Sequence, residues 1–399
     1  MKKSYKTFWV TVFAFLFAHV AHAQFNYSDN GNGTVTITGY TGSGGAVTIP
    51  GTINGEPVIA IGDSAFANSG LTSVTIPSSV TSIGDYSFGG NTGLTSVTIP
   101  SSITSIAGGD AFEDCTSMTQ ILVDPSNGAY ASSNGVLFNK SLTQLIEYPN
   151  GKLGNTYIIP TSVTSIGSAA FEDCTFPTSI TIPSSVTSIG DYSFTSTGLT
   201  SVTIPNSVTA IGQGVFEYCT SLTSANISNG ITLIPDFMFD YCTSLASVFI
   251  PSSVTSIGYG AFFHCTHLAS VNIPASVTGI GTYAFNNCQD LTSVTIPASV
   301  TFLGEYSFAY TGLTGAYFQG NAPASFGVGV FYGAASSFTV YYYTNFTGFS
   351  TPTWNGYNTV AEAPIPAVPN WALIPLGLVT FFTAVLFVQK NSAHALIRS

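Results

Sequence analysis

The sequence predicts a repeat solenoid, mainly β with short helical turns, whose stacked coils build a continuous parallel sheet between two terminal caps. Three observations predict it. A unit of 23 residues, roughly L-T-S-V-T-I-P-S-S-V-T-S-I-G-D-Y-S-F-x-x-C-T, returns about ten times, and self-similarity at that period marks stacked coils. Proline closes the T-I-P step at Pro77, Pro100, Pro160, Pro183, Pro205, Pro251, Pro274 and Pro297, with Ser228 in its place once. Phenylalanine recurs at one fixed height, at Phe66, Phe88, Phe112, Phe171, Phe194, Phe216, Phe239, Phe262, Phe285 and Phe308, and Phe331 continues the row.

In chain order, residues 1–23 read as a secretory signal. Lys2, Lys3 and Lys6 precede the apolar run Phe8 to Val20, and Ala21-His22-Ala23 is a small-residue cleavage motif. Residues 24–60 are expected to form an N-terminal cap of two or three strands, because an open first coil would leave strand edges unpaired. Residues 61–313 are the solenoid. Within one unit Leu71, Val74 and Ile76 fall on or near one face and Ser73 and Thr75 on the other, the period-two pattern of a half-buried strand. Pro77 ends that strand for want of a ladder donor. Val80 and Ile83 then point inward, Gly84 turns the chain, and Asp85 caps a brief helical turn carrying Phe88.

Residues 120–160 break the beat with a longer unit whose apolar positions are Val136, Leu137, Leu142 and Ile146. It reads as a variant coil with a protruding hairpin. Residues 314–360, with the run Tyr341 to Tyr343, are expected to form the C-terminal cap. Residues 361–370 are a Pro-rich linker, and 371–388 (Trp371 to Val388) carry no charge. As a helix those 18 residues would span about 27 Å, near the hydrocarbon thickness of a bilayer. Lys390 and Arg398 then place the tail 389–399 in the cytoplasm and the solenoid outside.

Charge excludes one class of partner. Residues 24–363 hold all eighteen acids and only Lys140 and Lys152 among Lys and Arg, a net charge of −16. Such a surface repels phosphate backbones, so nucleic acid is not expected to bind.

Aligning the coils also sorts the chemically suggestive residues. Cys115, Cys174, Cys219, Cys242, Cys265 and Cys288 each follow the spine phenylalanine by three positions, where other coils place Ser69, Asn91, Thr197 or Thr311. A ladder of free thiols satisfying backbone at a bend is the expectation, with one or two disulfides as the alternative. His264 and His267 occupy freely varying positions and are not expected to bind metal. Glu113-Asp114 and Glu172-Asp173 hold matching positions, and the long unit between them predicts a separation of about 10 Å. They read as solvated acidic turns, with weak calcium binding or a glycosidase pair as alternatives. No catalytic motif, cofactor or metal site is expected.

The strings "LTSVTIPSSVTSIGDYSF" and "FEYCTSLTSANI", the long "GVLFNK" unit and the "NAPASF" ending resemble the BspA-type leucine-rich repeat over about residues 25 to 360. The resemblance implies a right-handed leucine-rich-repeat coil, found on the surfaces of bacteria and some protozoan parasites, that binds extracellular proteins or other cells. The tail is similar to the PEP-CTERM sorting signals, on the strength of Pro364-Ile365-Pro366-Ala367-Val368-Pro369-Asn370-Trp371 followed by an apolar span and basic residues. That likeness implies an exosortase-type processing enzyme as a partner, with plain membrane anchoring the alternative.

The function expected is therefore that of an exported, surface-anchored, non-enzymatic adhesion module for an extracellular protein or glycan. Its contacts should lie where the outward strand face breaks the repeat, at Gln120, Asn226, Phe249, Asn272 and Tyr317, with Phe249 and Tyr317 as apolar anchors. The rival reading is a structural envelope or matrix component without a ligand. A remoter one is ice or polysaccharide-surface binding by the regular Ser/Thr array.

Overall fold

The computed structural model describes residues 24–363. The expected signal segment 1–23, the apolar segment 371–388 and the tail 389–399 lie outside the described residues. Among those described, no helix is long and apolar enough to cross a membrane.

Each coil contributes two short parallel strands and a turn. The longer strands, such as Leu71–Thr75, Ser96–Ile99, Ser201–Thr203, Ser224–Asn226, Ser247–Phe249 and Ser293–Ile296, form one row. The shorter strands, such as Ser82–Ile83, Ser105–Ile106, Ser256–Ile257 and Phe302–Leu303, form a second. Register is strict, with Val202 paired to Ala225 and Ala225 to Val248. The sheet expected to be continuous is a column of separate ladders: four strands run from Ser201–Thr203 to Ser270–Val271, five from Ser293–Ile296 through Tyr357–Glu362 to Thr353–Trp354, and elsewhere the long row pairs only two by two. Strands of two to four residues ended by proline hold too few ladder bonds to bridge a small offset between coils.

The stretch expected as a helical turn is drawn out into a different conformation. Residues two before and two after the spine phenylalanine are left-handed, Asp110 before Phe112 excepted, for example Tyr192 (φ 55°) and Ser196 (φ 55°) around Phe194, and Phe237 (φ 57°) and Tyr241 (φ 54°) around Phe239. Left-handed residues four positions apart turn the N–H groups of alternate residues, the spine ring's included, to one side. Each then donates to the next coil, as Phe66 N to Ser87 O at 2.7 Å, Asn68 N to Gly89 O at 2.8 Å and Tyr241 N to Phe263 O at 2.8 Å. This edge is thus a third hydrogen-bonded column, with its amides aligned along the solenoid. The strain of non-glycine residues in this region is offset by those bonds.

Inside, the phenylalanines stack at ring distances of 5.0–5.8 Å with interplanar angles of 4–27°. The coil spacing of about 4.8 Å imposes this offset arrangement, which aromatic rings favour. Between Phe112 and Phe171 the long unit supplies Tyr148, whose ring lies 5.2 Å from Phe171. The expected hairpin of that unit is present as Tyr130–Ser133, Val136–Asn139 and Gln144–Glu147, but it does not protrude. Val136, Leu137 and Phe138 are buried, because an apolar strand of this kind gains more by completing the core than by standing in water.

The N-terminal cap has five short strands, in which the antiparallel pair Phe25–Asp29 and Val35–Tyr40 brings Phe25 and Tyr40 over the exposed end of the spine at Phe66. At the other end, Gly315–Phe318 still pairs in register with Ser293–Ile296, so a regular coil continues past residue 314. Closure comes later, where Phe338, Phe349, Trp354 and Tyr357 pack around Phe318 and Phe331.

The outward strand row and an acidic edge

The side chains that occupy the second threonine of T-S-V-T-I form one outward row along the solenoid. The register pairs Thr203 with Asn226 and Asn226 with Phe249, and Asn272 follows on the next coil, one residue past the Val248–Val271 pair. Further along, Thr295 pairs with Tyr317 and Tyr317 with Tyr341. Phe249 is 60% exposed and Tyr317 43%. A shallow cleft of about 240 Å³ lies beside Phe249, lined by Pro205, Asn206, Asn226 and Asn229 among others. The structure therefore brings Asn226, Phe249 and Asn272 together and places Tyr317 two coils beyond Asn272. Gln120 stands apart: it pairs with Ser96, at the serine position of an earlier coil.

Sequence reasoning missed four members of this row. Leu122 pairs with Thr98, Ile158 with Thr181, and Val360 with Tyr341; Leu122, Ile158 and Val360 are all exposed. Tyr341 stacks on Tyr317 at 4.8 Å with an interplanar angle of 9°. Ile158 stands just ahead of the Ile159-Pro160 step, so the beat alone points to it; Leu122, Tyr341 and Val360 lie where that step is altered or absent.

The acid pairs are closer than the coil count predicts, and this corrects the expected 10 Å gap. Carboxylate oxygens of Glu113, Glu172 and Asp173 all lie within 4.8 Å of one another. The coil between them places Pro149 next to the spine ring Tyr148, where its neighbours place Glu113 and Glu172 beside theirs. Pro149 is buried, and the two glutamates converge over this compact residue. Asn150 follows, and its Nδ2 donates to Glu172 O at 2.7 Å. Beside the cluster runs an open groove of about 480 Å³ lined by Asp110, Glu172, Asp173, Asp191, Glu217, Tyr192 and Tyr218 among others. Burial first, then the neighbouring acids, pushes Glu113 up to about 7 and Glu172 up to about 8. Glycoside hydrolysis needs two carboxyls whose pKa values are driven apart. Here burial raises both.

A family model of the BspA type leucine rich repeat region, in six copies, matches residues 59–151, 147–268 and 232–359. The chain belongs to the BspA-type leucine-rich repeat family. A leucine-rich repeat protein from Eubacterium ventriosum shares the fold, with 23% identity over 84% of this chain and 97% of that one at a TM-score of 0.62. A leucine rich cell surface protein from Faecalibacterium prausnitzii aligns at 27% identity over 85% and 97% of the two chains, with a TM-score of 0.49. No curated protein matches.

Within this BspA-type solenoid the cysteines do what their alignment predicts. All six are free and buried. Each Sγ donates to the carbonyl of the spine aromatic one coil back, as Cys219 to Phe194 O at 3.0 Å, Cys242 to Phe216 O at 3.0 Å and Cys265 to Phe239 O at 3.1 Å. Asn91 shows the slot's logic most fully, bonding Phe66 O at 2.8 Å, Phe88 O at 2.6 Å and the Leu71 N–H at 2.9 Å. Burial pushes the Cys219 thiol up to about 11, which makes it a poor nucleophile. His264 stacks on Tyr241 at 4.2 Å, and His267 Nδ1 lies 2.6 Å from Thr243 O. The histidines thus have packing and backbone partners of their own.

Proposed function

We propose that this BspA-type protein is a non-enzymatic interaction module, exported by its N-terminal segment and held at the cell surface by its C-terminal one, that binds an extracellular protein or glycan through the outward long-strand row. The observation that carries this reading is Phe249, a large apolar side chain exposed on a rigid strand between Asn226 and Asn272. Leaving it in water gains nothing for folding, whereas an exposed aromatic flanked by amides suits a partner with apolar faces and hydrogen-bonding groups. The stacked pair Tyr317–Tyr341 offers a second anchor on the same row. The family's repeat architecture, an extended surface of stacked coils, supports interaction over catalysis.

The test is a screen of the purified chain against extracellular-matrix proteins and glycans beside a Phe249→Ser/Tyr317→Ser variant. Binding by the wild type that the variant loses supports the reading. Binding that survives in the variant, or none by either chain, sinks it, and the second outcome favours a structural envelope component.

A further inference from the structure

We propose that Glu113, Glu172 and Asp173 form a binding site for a divalent cation of the calcium class, opening on the acidic groove and backed by Glu147. Oxygens bound to one calcium ion at about 2.3–2.6 Å stand at most about 5 Å apart. The three carboxylates meet that condition, lying within 4.8 Å of one another. The donors are all hard oxygens, which suits calcium and disfavours zinc or copper. The adjoining groove of about 480 Å³ leaves room for the waters that complete a coordination shell of about 6–8 oxygens.

Glu147 is the independent observation. It is only 2% exposed, and its Oε2 has no hydrogen-bond partner. Asp110 and Glu113 lie near enough to repel its charge, while the Phe112 N–H bonds it. Asp110 Oδ1 is likewise buried and unpartnered. Neighbouring coils fill the slot of Glu147, just ahead of the spine ring, with Ser87, Ala111, Ala170 and Ser193, so packing does not require a carboxyl there. Residues 24–363 contain only Lys140 and Lys152 among Lys and Arg, and Lys140 directs its Nζ to Pro125 O at 3.3 Å. An ion bound by the three outer carboxylates, with a coordinated water reaching inward, gives this convergence of acids its counter-charge.

The experiment is calorimetric titration of the full chain, purified in mild detergent and stripped of metal, with calcium chloride and separately with magnesium chloride. Terbium luminescence sensitised by Tyr192 and Tyr218 provides a second readout. One saturable calcium site is expected, with a Kd on the order of 10⁻⁴–10⁻³ M and weaker binding of magnesium. Glu172→Gln should weaken calcium at least about tenfold, while Asp290→Asn at a remote exposed acid leaves it unchanged. Without calcium Glu172→Gln should melt at or above the wild type, because a like charge is gone; if it does not fold, Glu113→Gln takes its place. No saturable binding up to about 10 mM, beyond the affinities such sites show, would overturn the proposal, as would equal affinities of wild type and Glu172→Gln.

Discussion

Ser64 shows at the scale of one residue what the turn edge demands. It is exposed and left-handed at φ 54°, and its N–H donates to Asp85 O at 2.9 Å. Ser64→Gly should stabilise the chain by up to about 1 kcal/mol, and Ser64→Val should cost about 1–2 kcal/mol, both read by urea unfolding. Asp240 makes the opposite kind of demand, on charge. Burial first, then Glu217, pushes it from 3.8 up to about 7, and its Oδ1 has no partner. The folded chain therefore holds a proton that the unfolded chain releases. This contribution is fully present below about pH 4 and is lost as pH rises through about 7. Asp240→Asn should exceed the wild type by on the order of 3 kcal/mol at pH 8 and by little at pH 4, in melts run without divalent cations.

At the scale of the element, the spine and the thiol ladder form one device. A spine carbonyl such as Phe216 O accepts the N–H three residues on in its own coil, from Cys219 at 3.2 Å, and the cysteine of the following coil adds a second bond, from Cys242 Sγ at 3.0 Å. Cys242→Ser should be tolerated and Cys242→Ala should cost about 1 kcal/mol, since only the second removes one of the two hydrogen bonds to Phe216 O; melts with and without dithiothreitol should coincide. This device was legible in the sequence because ten aligned coils showed Cys, Ser, Asn and Thr sharing one slot. The aligned amides of the turn edge were not legible. Ser, Asn, Asp, Tyr, Phe and His all occupy its left-handed positions, and only the inter-coil bonds explain why they are tolerated there. The acidic convergence was hidden for a related reason. The long unit keeps the beat with Tyr148 in place of phenylalanine and Pro149 in place of glutamate, so the pattern looked interrupted where the stacking in fact continues.

At the scale of the whole molecule, the buried side chains fall into two clusters, one from Phe25 to Leu137 and the other from Val136 to Trp354. The hairpin of the long unit is where they meet, which gives that departure from the repeat a structural role. Departures on the outward long-strand row have none that the core requires. Phe249, Asn226, Asn272 and Tyr317 were found from the sequence because each replaces a threonine at a known step. Leu122, Tyr341 and Val360 escaped because the step around them is altered. A comparable pair of exposed apolar residues, Leu233 and Phe302, lies on the short-strand row, and it supplies the control for the central claim.

That claim is that one row of the solenoid, and not exposed apolar surface in general, makes the contact. The measurement is binding of the full chain to arrayed matrix proteins and glycans for the wild type, Phe249→Thr/Tyr317→Thr and Leu233→Ser/Phe302→Ser. The prediction is a loss of at least about tenfold for the long-row pair and a change within about twofold for the short-row pair, as expected when a few central anchors dominate an interface. Equal losses from both pairs, or a loss confined to the short-row pair, would contradict it.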